Sequence, residues 1–329
     1  MEKILLPGTA LQVSALGLGG SNLGSALPEA AAMELMDAYL AAGGNLIDTA
    51  HVYGAVNPED TSASEAVIGK WMKERNNRED LVLCTKGGHP RIDPASFSFG
   101  PSRLQPEDLE FDLGRSLMTL GTSYIDLYFL HRDDPAVPVS RIIDWCEEKC
   151  REGKLRYYGC SNWSAARIEE ANAYAREKGC AGFVCDQLAA GLGVNNGAAM
   201  TGTGMEILGG GLQSFHEKTG MAVMSSQSLC EGYFHKRLKG TELPPFLGFL
   251  YGNSENDAIF AYLQELTGQG LTVNSILYHF IRSWNFPAVA LMGFSSVKQL
   301  QEMITDIEVP VPEEALQKLH ELRGSGTAI

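Results

Sequence analysis

The chain has 329 residues, of which 44% are hydrophobic and 20% charged, and its formal net charge is −14. This composition is that of a globular protein rather than a disordered or fibrous one. The acidic balance argues against a nucleic-acid partner, because binding to a phosphate backbone requires clustered lysine and arginine. We therefore expect a small-molecule partner.

Cysteine usage and hydropathy together predict a cytoplasmic protein. Seven cysteines with no Cys-x-x-Cys pair are typical of reduced thiols, and we predict no metal site. The start of the chain is too polar and too rich in glycine for a signal peptide. No run of about 18 apolar residues occurs, so we expect no contact with a membrane.

Short apolar runs alternate along the chain with longer segments of helical periodicity, which is the pattern of βα units. A β-hairpin around a Pro-Gly turn is predicted at residues 3–13. Strands are predicted at residues 13–18, 45–48, 81–86, 125–131, 156–161, 183–187, 222–226 and 289–293. Helices are predicted at residues 28–42, 64–75, 105–120, 140–152, 165–178 and 272–284.

Eight βα units indicate the α/β class and a (β/α)8 TIM barrel, with the N-terminal β-hairpin capping the barrel bottom. No proline- or serine-rich linker divides the chain, which favours a single domain over residues 1–329. The widest irregular stretches are residues 89–102, 188–206 and 231–256, and each follows a predicted strand. In a barrel, the loops after the strands carry the chemistry.

Three predicted strands end in ionisable residues, namely Asp48, Lys86 and His131, and Tyr53 lies in the loop after Asp48. Side chains at the C-terminal ends of barrel strands converge on one face. A phenol, whose ordinary pKa is about 10, needs a nearby cation to exchange protons near neutrality. Lys86 can supply the cation and Asp48 its counter-charge, while a neutral His131 can orient a substrate oxygen.

These residues lie in the segments GGNLIDTAHVYG, LVLCTKGG, IDLYFLH and YYGCSNW, in that order along the chain. With these segments the sequence resembles the aldo-keto reductase family, from the hairpin to Glu302. The resemblance implies a barrel without a Rossmann domain that binds NADP or NAD across its top. The implied reaction moves a hydride between nicotinamide and a carbonyl or alcohol substrate. Tyr53 would be the general acid or base, Lys86 and Asp48 its tuning pair, and His131 the orienting group.

The resemblance also assigns residues to the cofactor. Ser161, Asn162 and Gln187 match the positions that bind the nicotinamide carboxamide, and their donors and acceptors suit a primary amide. The loop and helix near the end of the chain resemble the family's phosphate-binding segment. The full set of predicted cofactor contacts is Gly20, Ser21, Asp48, Ser161, Asn162, Gln187, Ser226, Gly293, Ser295, Ser296, Lys298 and Gln299.

Two segments depart from the family pattern. The family has an aromatic residue after the seventh strand that stacks on nicotinamide, whereas this chain has Ser225, and Tyr233 or Phe234 would have to supply a face contact. The adenosine end lacks the usual arginine and offers Lys298, with Met303 where an adenine-binding asparagine is common. NAD and NADP are therefore both candidates.

Polar rim loops point to a sugar-like or other polar carbonyl, with Arg91 and Asp93 adding to their polarity. The residues predicted to line the substrate pocket are His51, His89, Arg132 and Trp163. The segment 188–206 is longer than the family norm, and we predict a lid or a subunit contact there, which leaves a homo-oligomer open.

Two other functions are kept as alternatives. A Schiff-base aldolase-type barrel would use Lys86 as a deprotonated nucleophile, although the adjacent Asp48 argues against it. A regulatory module would bind nicotinamide with little turnover, which the unusual residue Ser225 would suit.

Overall fold

The computed structural model describes residues 1–55, 57, 59–92 and 99–328. Eight parallel strands close into a barrel, in which β11 pairs with β3 to complete the ring. In chain order the strands are β1 (Lys3–Leu5), β2 (Gln12–Ser14), β3 (Leu16–Gly19), β4 (Leu46–Asp48), β5 (Val82–Gly87), β6 (Ile125–Leu130), β7 (Leu155–Ser161), β8 (Cys185–Ala189), β9 (Asn195–Asn196), β10 (Ala222–Ser226), β11 (Ala288–Met292) and β12 (Thr327–Ala328). The barrel consists of β3–β8, β10 and β11, which confirms the predicted (β/α)8 fold.

Helices surround the barrel, and the six predicted from periodicity correspond to the first five and to α11. In chain order they are α1 (Glu29–Ala41), α2 (Ala63–Arg75), α3 (Pro106–Leu120), α4 (Val139–Arg151), α5 (Ala165–Lys178), α6 (Gly197–Met200), α7 (Gly210–Thr219), α8 (Tyr233–Leu238), α9 (Pro245–Tyr251), α10 (Ser254–Gly268), α11 (Val273–Arg282), α12 (Val297–Asp306) and α13 (Glu313–Arg323). No helix within the described ranges has both the length and the apolar character to cross a bilayer.

Local sequence signals set several of the helix ends. The Ser62 hydroxyl accepts a hydrogen bond from the Glu65 N–H at the start of α2, and Pro106 occupies the first turn of α3. Gly121 and Gly179 end α3 and α5 in the left-handed conformation that glycine adopts without a steric penalty. These ends let the chain leave each helix and enter the next parallel strand.

The β1–β2 hairpin plugs the N-terminal end of the barrel, as the sequence predicts. Its residues Leu6, Leu11 and Val13 are at most 5% exposed and pack among the inward-facing apolar side chains of the barrel strands. The predicted first strand at residues 13–18 needs correction. Its first two residues belong to β2, and barrel strand β3 begins at Leu16, because the chain changes partner there from the hairpin to the barrel.

The long segment 188–206 is held in place by buried side chains and by contacts with the C-terminal end of the chain. Its apolar residues Leu192 and Val194 are buried within the fold. From the C-terminal end of the chain, Arg323 donates a hydrogen bond to the Gly191 carbonyl oxygen at 2.8 Å, and β12 pairs with β9. These long-range contacts fix a segment that the sequence pattern left irregular.

Candidate active site

The ends of three neighbouring strands bring Asp48, Lys86 and His131 to one rim of the barrel. Asp48 ends β4, Lys86 is the penultimate residue of β5, and His131 directly follows β6. Tyr53 lies in a tight turn after β4, and the Ser62 hydroxyl donates to the Tyr53 carbonyl oxygen at 2.9 Å, which holds the turn against the start of α2. The four predicted catalytic residues are therefore neighbours in the fold.

The Lys86 ammonium is the centre of this group. Its Nζ atom donates to Oδ2 of Asp48 at 2.7 Å, to the carbonyl oxygen of Thr49 at 2.8 Å and to Oη of Tyr53 at 3.2 Å. The Lys86 side chain is fully buried. On the other side of the carboxylate, Nε2 of Gln187 donates to Oδ1 of Asp48 at 2.8 Å. Both oxygens of Asp48 thus accept a hydrogen bond from a fixed donor.

Burial opposes the charge of Lys86, but Asp48 and Tyr53 outweigh it and raise the pKa of the ammonium above its ordinary value. Lys86 is therefore protonated at neutral pH and donates to the Tyr53 oxygen. A lysine that forms a Schiff base must be deprotonated to act as a nucleophile. The environment of Lys86 consequently argues against the aldolase alternative.

His131 is held as a neutral imidazole beside the phenol. The rings of Tyr53 and His131 meet edge to face, with centroids 5.9 Å apart. Burial, together with the nearby His89, Arg132 and Lys86, lowers the pKa of His131 well below its ordinary value. A neutral imidazole retains one donor and one acceptor nitrogen, so it can hydrogen-bond an uncharged carbonyl or alcohol oxygen.

A groove of 470 Å³ crosses the rim from Tyr53 to the start of α12. Its wall contains these predicted cofactor residues: Gly20, Ser21, Asp48, Gln187, Ser226, Gly293, Ser295 and Gln299. A Cβ atom on Gly20 would lie 2.6 Å from the carbonyl oxygen of Asp48, so only glycine fits against β4 at this point. The polar lining between Tyr53 and the start of α12 fits an extended dinucleotide.

Ser161 and Asn162 line a second cavity that adjoins the groove at Tyr53. Nδ2 of Asn162 donates to Oγ of Ser161 at 2.9 Å, and Oδ1 of Asn162 accepts from the Glu206 N–H at 3.2 Å. Asn162 is therefore bound largely to its own protein, whereas the Ser161 hydroxyl still has a proton to donate. Together with the amide of Gln187, this hydroxyl suits a carboxamide.

Of the predicted cofactor residues near the end of the chain, some line the groove and others lie outside it. Ser295 and Gln299 line the groove, while the Ser296 side chain caps α12 by accepting from the Gln299 N–H. Lys298 does not line the groove: its side chain is 84% exposed and lies 3.8 Å from Glu302. Met303 is part of the groove wall.

Sequence reasoning missed several groove residues, above all the basic residues after β10. Lys236 and Lys239 line the same groove as Gln299. The sequence signal is the basic run HKRLK at residues 235–239, which begins after the eight residues that follow the seventh barrel strand. Residues 231–256 match no family motif and have no clear periodicity, so the sequence did not place this run in the groove. The other polar groove residues that the sequence did not reveal are Asn22, Gln227, Ser228, Glu231, His235, Asn274 and Glu302.

The aromatic replacement expected near Ser225 is not found in either cavity wall. Ser225 is fully buried and accepts a hydrogen bond from the Ser228 hydroxyl at 3.2 Å. Tyr233 and Phe234 are at most 2% exposed and point into the packing of α8, so neither supplies the predicted face contact. Gln227 and Leu229 occupy this part of the groove wall instead.

The second cavity, of 430 Å³, contains Tyr53 and His131 together with two of the predicted substrate residues, His89 and Arg132. The other two do not reach it. His51 is 1% exposed, with its Nε2 atom 3.6 Å from Oδ1 of Asp112.

Trp163 is fully buried, with its ring 5.0 Å from that of Phe183. His51 and Trp163 are therefore buried outside the lining of the second cavity, which corrects their predicted place in the substrate pocket. Asp93, which the sequence placed among the polar rim residues, lies outside the described residues.

Known proteins are similar to this chain over nearly its whole length. The family model described as "Aldo/keto reductase family" matches residues 15–323. A thermostable aldo-keto reductase, Tm1743, solved in complex with the inhibitor epalrestat, superposes with a TM-score of 0.71 at 25% identity. That match covers 98% of this chain and 100% of the other.

Several named proteins are similar to this chain in sequence. Aryl-alcohol dehydrogenase (NADP(+)) of Phanerodontia chrysosporium is 29% identical over 96% of this chain and 84% of its own length. Aldo-keto reductase ausK of Emericella nidulans is 34% identical, and the match spans 54% of this chain and about half (46%) of that relative. Protein tas of Escherichia coli is 25% identical over 97% of this chain and 96% of its own length. The chain therefore belongs to the aldo/keto reductase family of oxidoreductases.

Proposed function

We propose that the protein transfers a hydride between a nicotinamide cofactor, NADP or NAD, and a carbonyl or alcohol substrate, with Tyr53 as the general acid or base. The observation that carries this proposal is the buried Lys86 ammonium, which donates to Asp48 at 2.7 Å and to Tyr53 at 3.2 Å. A cation that donates to a phenol oxygen stabilises the phenolate relative to the phenol. This is the property that a proton-exchanging tyrosine needs near neutral pH.

In the reductive direction, Tyr53 donates its proton to the carbonyl oxygen as negative charge develops there. Lys86 stabilises the phenolate that remains, and Asp48 keeps Lys86 charged. Neutral His131 hydrogen-bonds the same substrate oxygen and orients it towards Tyr53. The bound nicotinamide would supply the hydride. In the oxidative direction the Tyr53 phenolate accepts the proton of the alcohol.

The groove residues define how the cofactor would be held. Ser161 and Gln187 would bind the carboxamide, and the backbone at Gly20 and Gly293 would allow close approach of the cofactor. Lys236 and Lys239 line the same groove and favour a phosphorylated adenosine, and hence NADP over NAD. The use of NADP(+) by a named relative supports the same preference.

We also propose that residues 1–329 form one domain. The last helix, α13, returns to the rim of the barrel, where Arg323 donates to the carbonyl oxygens of Gly191 and Leu208 at 2.8 Å each. The β12–β9 pair joins the end of the chain to the same rim segment.

The test is a fluorescence titration of the purified protein with NADPH and NADH, followed by a carbonyl panel at saturating cofactor. Saturable binding with carbonyl-dependent oxidation of the cofactor is expected. Tyr53→Phe should reduce kcat by a factor of about 10² to 10⁴, the usual contribution of general acid catalysis, while cofactor affinity stays within about twofold. If neither cofactor binds, the proposal is wrong.

One alternative outcome would favour the regulatory module. The absence of an aromatic side chain at Ser225 removes the usual stacking partner of nicotinamide. Tight cofactor binding without turnover of any carbonyl in a broad panel would support a cofactor-sensing role. Turnover that disappears in Tyr53→Phe would exclude it.

A further inference from the structure

Arg132 lines two neighbouring cavities at the rim of the barrel. It follows His131 at the end of β6 and lines the 430 Å³ cavity that contains Tyr53. It also lines an outer cavity of 310 Å³ between the loop after β6 and residues 202–206. Gly204 covers the stem of the side chain: a Cβ atom there would lie 3.5 Å from Cδ of Arg132. The Arg132 side chain therefore borders both the cavity that contains Tyr53 and the neighbouring outer cavity.

The guanidinium has no carboxylate partner among the described residues. Within the described ranges, its one hydrogen bond runs from Nη1 to the carbonyl oxygen of His131, at 2.8 Å. Its Nε atom is buried and has no acceptor in the described part of the chain. Two other shielded arginines differ in having a carboxylate partner: Arg103 is 2.8 Å from Asp112 and Arg167 is 3.1 Å from Asp133.

A half-buried charge without a counter-ion is unfavourable, because desolvation is not offset by attraction. Burial lowers the pKa of Arg132 from its ordinary value, and the approach of an anion would reverse that effect. Glu231, Glu206 and Asp133 line the two cavities, yet none of them forms an ion pair with Arg132, and Asp133 pairs with Arg167 at 3.1 Å instead. The position therefore provides an open site for an anionic group.

The free edge of Arg132 selects the kind of anion. With Nη1 committed to the His131 carbonyl and Nε buried, the two N–H groups of Nη2 remain to bind an anion, and the planar guanidinium suits a carboxylate. His89 and His131 line the same cavity as neutral rings, because burial lowers the pKa of His89 to about 4 and that of His131 well below its ordinary value. One cation facing the cavity balances a single negative charge better than the double charge of a phosphate.

We propose that Arg132 binds a carboxylate of the substrate, so that the physiological substrate is a carbonyl compound carrying a carboxylate remote from the reacting carbon. The inference rests on the proposed function of the adjacent Tyr53 site and specifies its substrate class. Arg132 determines specificity in this reaction, and it anchors one end of the substrate while Tyr53 and His131 receive the carbonyl end.

The experiment compares 4-carboxybenzaldehyde with its methyl ester, which keeps the reacting aldehyde and removes the charge. The wild-type protein should reduce the acid with a kcat/KM about tenfold or more above that of the ester. Arg132→Gln should lower kcat/KM for the acid by about 10- to 100-fold, mainly through KM, and for the ester by less than about threefold. Arg132→Lys should recover part of the preference, because it restores the charge without the planar guanidinium.

Arg151→Gln is the matched control, because this arginine is exposed at the end of α4 and lines neither cavity. It should leave both substrates unaffected. A wild-type protein without preference for the acid would overturn the inference and leave the proposed function intact, since the ester would still be reduced. Equal losses for acid and ester in Arg132→Gln would also overturn it, because Arg132 would then act only by holding the His131 carbonyl. Failure of the wild-type protein to reduce either aldehyde, or any other carbonyl, would overturn the proposed function itself.

Discussion

The Lys86 ammonium and the Asp48 carboxylate form an ion pair at 2.7 Å, with the lysine side chain fully buried and the aspartate side chain 5% exposed. Asp48 is also held by Gln187 through its second oxygen. A pair this deep in the barrel is worth much less than its Coulomb energy, because both charges have lost their hydration. Its main effect is to keep a positive charge next to Tyr53.

Asp48→Asn should lower the free energy of unfolding by about 3 to 5 kcal/mol, because it leaves the Lys86 charge buried without a partner. The double variant Asp48→Asn/Lys86→Met should recover part of this loss, since it removes both charges. Asp37→Asn is the control: its pair with Arg75 has side chains that are 41% and 42% exposed, and such pairs contribute about 0 to 1 kcal/mol. Urea denaturation at pH 7 provides the measurement. Similar losses in Asp48→Asn and Asp37→Asn would contradict the role of burial.

His89 should make the protein less stable in acid. Burial lowers its pKa to about 4 in the folded protein from 6.5, so below pH 6.5 the unfolded chain takes up a proton that the folded protein does not. The contribution of neutral His89 is complete above pH 6.5 and is lost as the pH falls towards 4. Between pH 7.5 and pH 5, wild type should lose about 2 kcal/mol more unfolding free energy than His89→Gln. Parallel pH curves for the two proteins would refute the effect.

Lys236 and Lys239 should decide the cofactor. Replacing both by glutamine should weaken NADPH binding about tenfold or more and NADH binding by less than about threefold, because only NADPH carries the extra phosphate. Lys298→Gln should change neither affinity, since this side chain is 84% exposed and does not line the groove. Fluorescence titrations of the variants with both cofactors give the comparison. Equal losses for NADPH and NADH would instead assign the two lysines to the shared pyrophosphate.

Gly87 next to Lys86 should not tolerate a side chain. A Cβ atom there would overlap the hydroxyl of Tyr128 and lie 3.0 Å from Cβ of Asp112, both fully buried. Gly87→Ala should lower the free energy of unfolding by about 1 to 3 kcal/mol, the usual cost of overpacking. Gly114→Ala, in the exposed middle of α3 with no atom within 4 Å of the new methyl group, should raise it by about 0.5 to 1 kcal/mol. Thermal or urea unfolding of both variants would show whether the two changes have opposite signs.

Much of the barrel was predictable because strands and helices have different hydrophobic periods. The eight barrel strands lie within a few residues of their predicted positions, except that the first was merged with the hairpin strand β2. The short elements β9, β12, α8 and α9 were not predicted. They are too short for a period to be recognised, and long-range contacts such as those of Arg323 stabilise them.

The sequence alone determined that Asp48, Tyr53, Lys86 and His131 would meet, because parallel strands in a barrel deliver their C-terminal residues to one rim. Only the tertiary structure decided where the rim side chains point. His51 and Trp163 are buried, Lys236 and Lys239 line the groove, and Arg132 lines the cavity with no acidic partner among the residues that the structure describes. A strand position follows from local hydrophobic alternation, whereas the direction of a loop side chain depends on contacts with residues far away in the sequence.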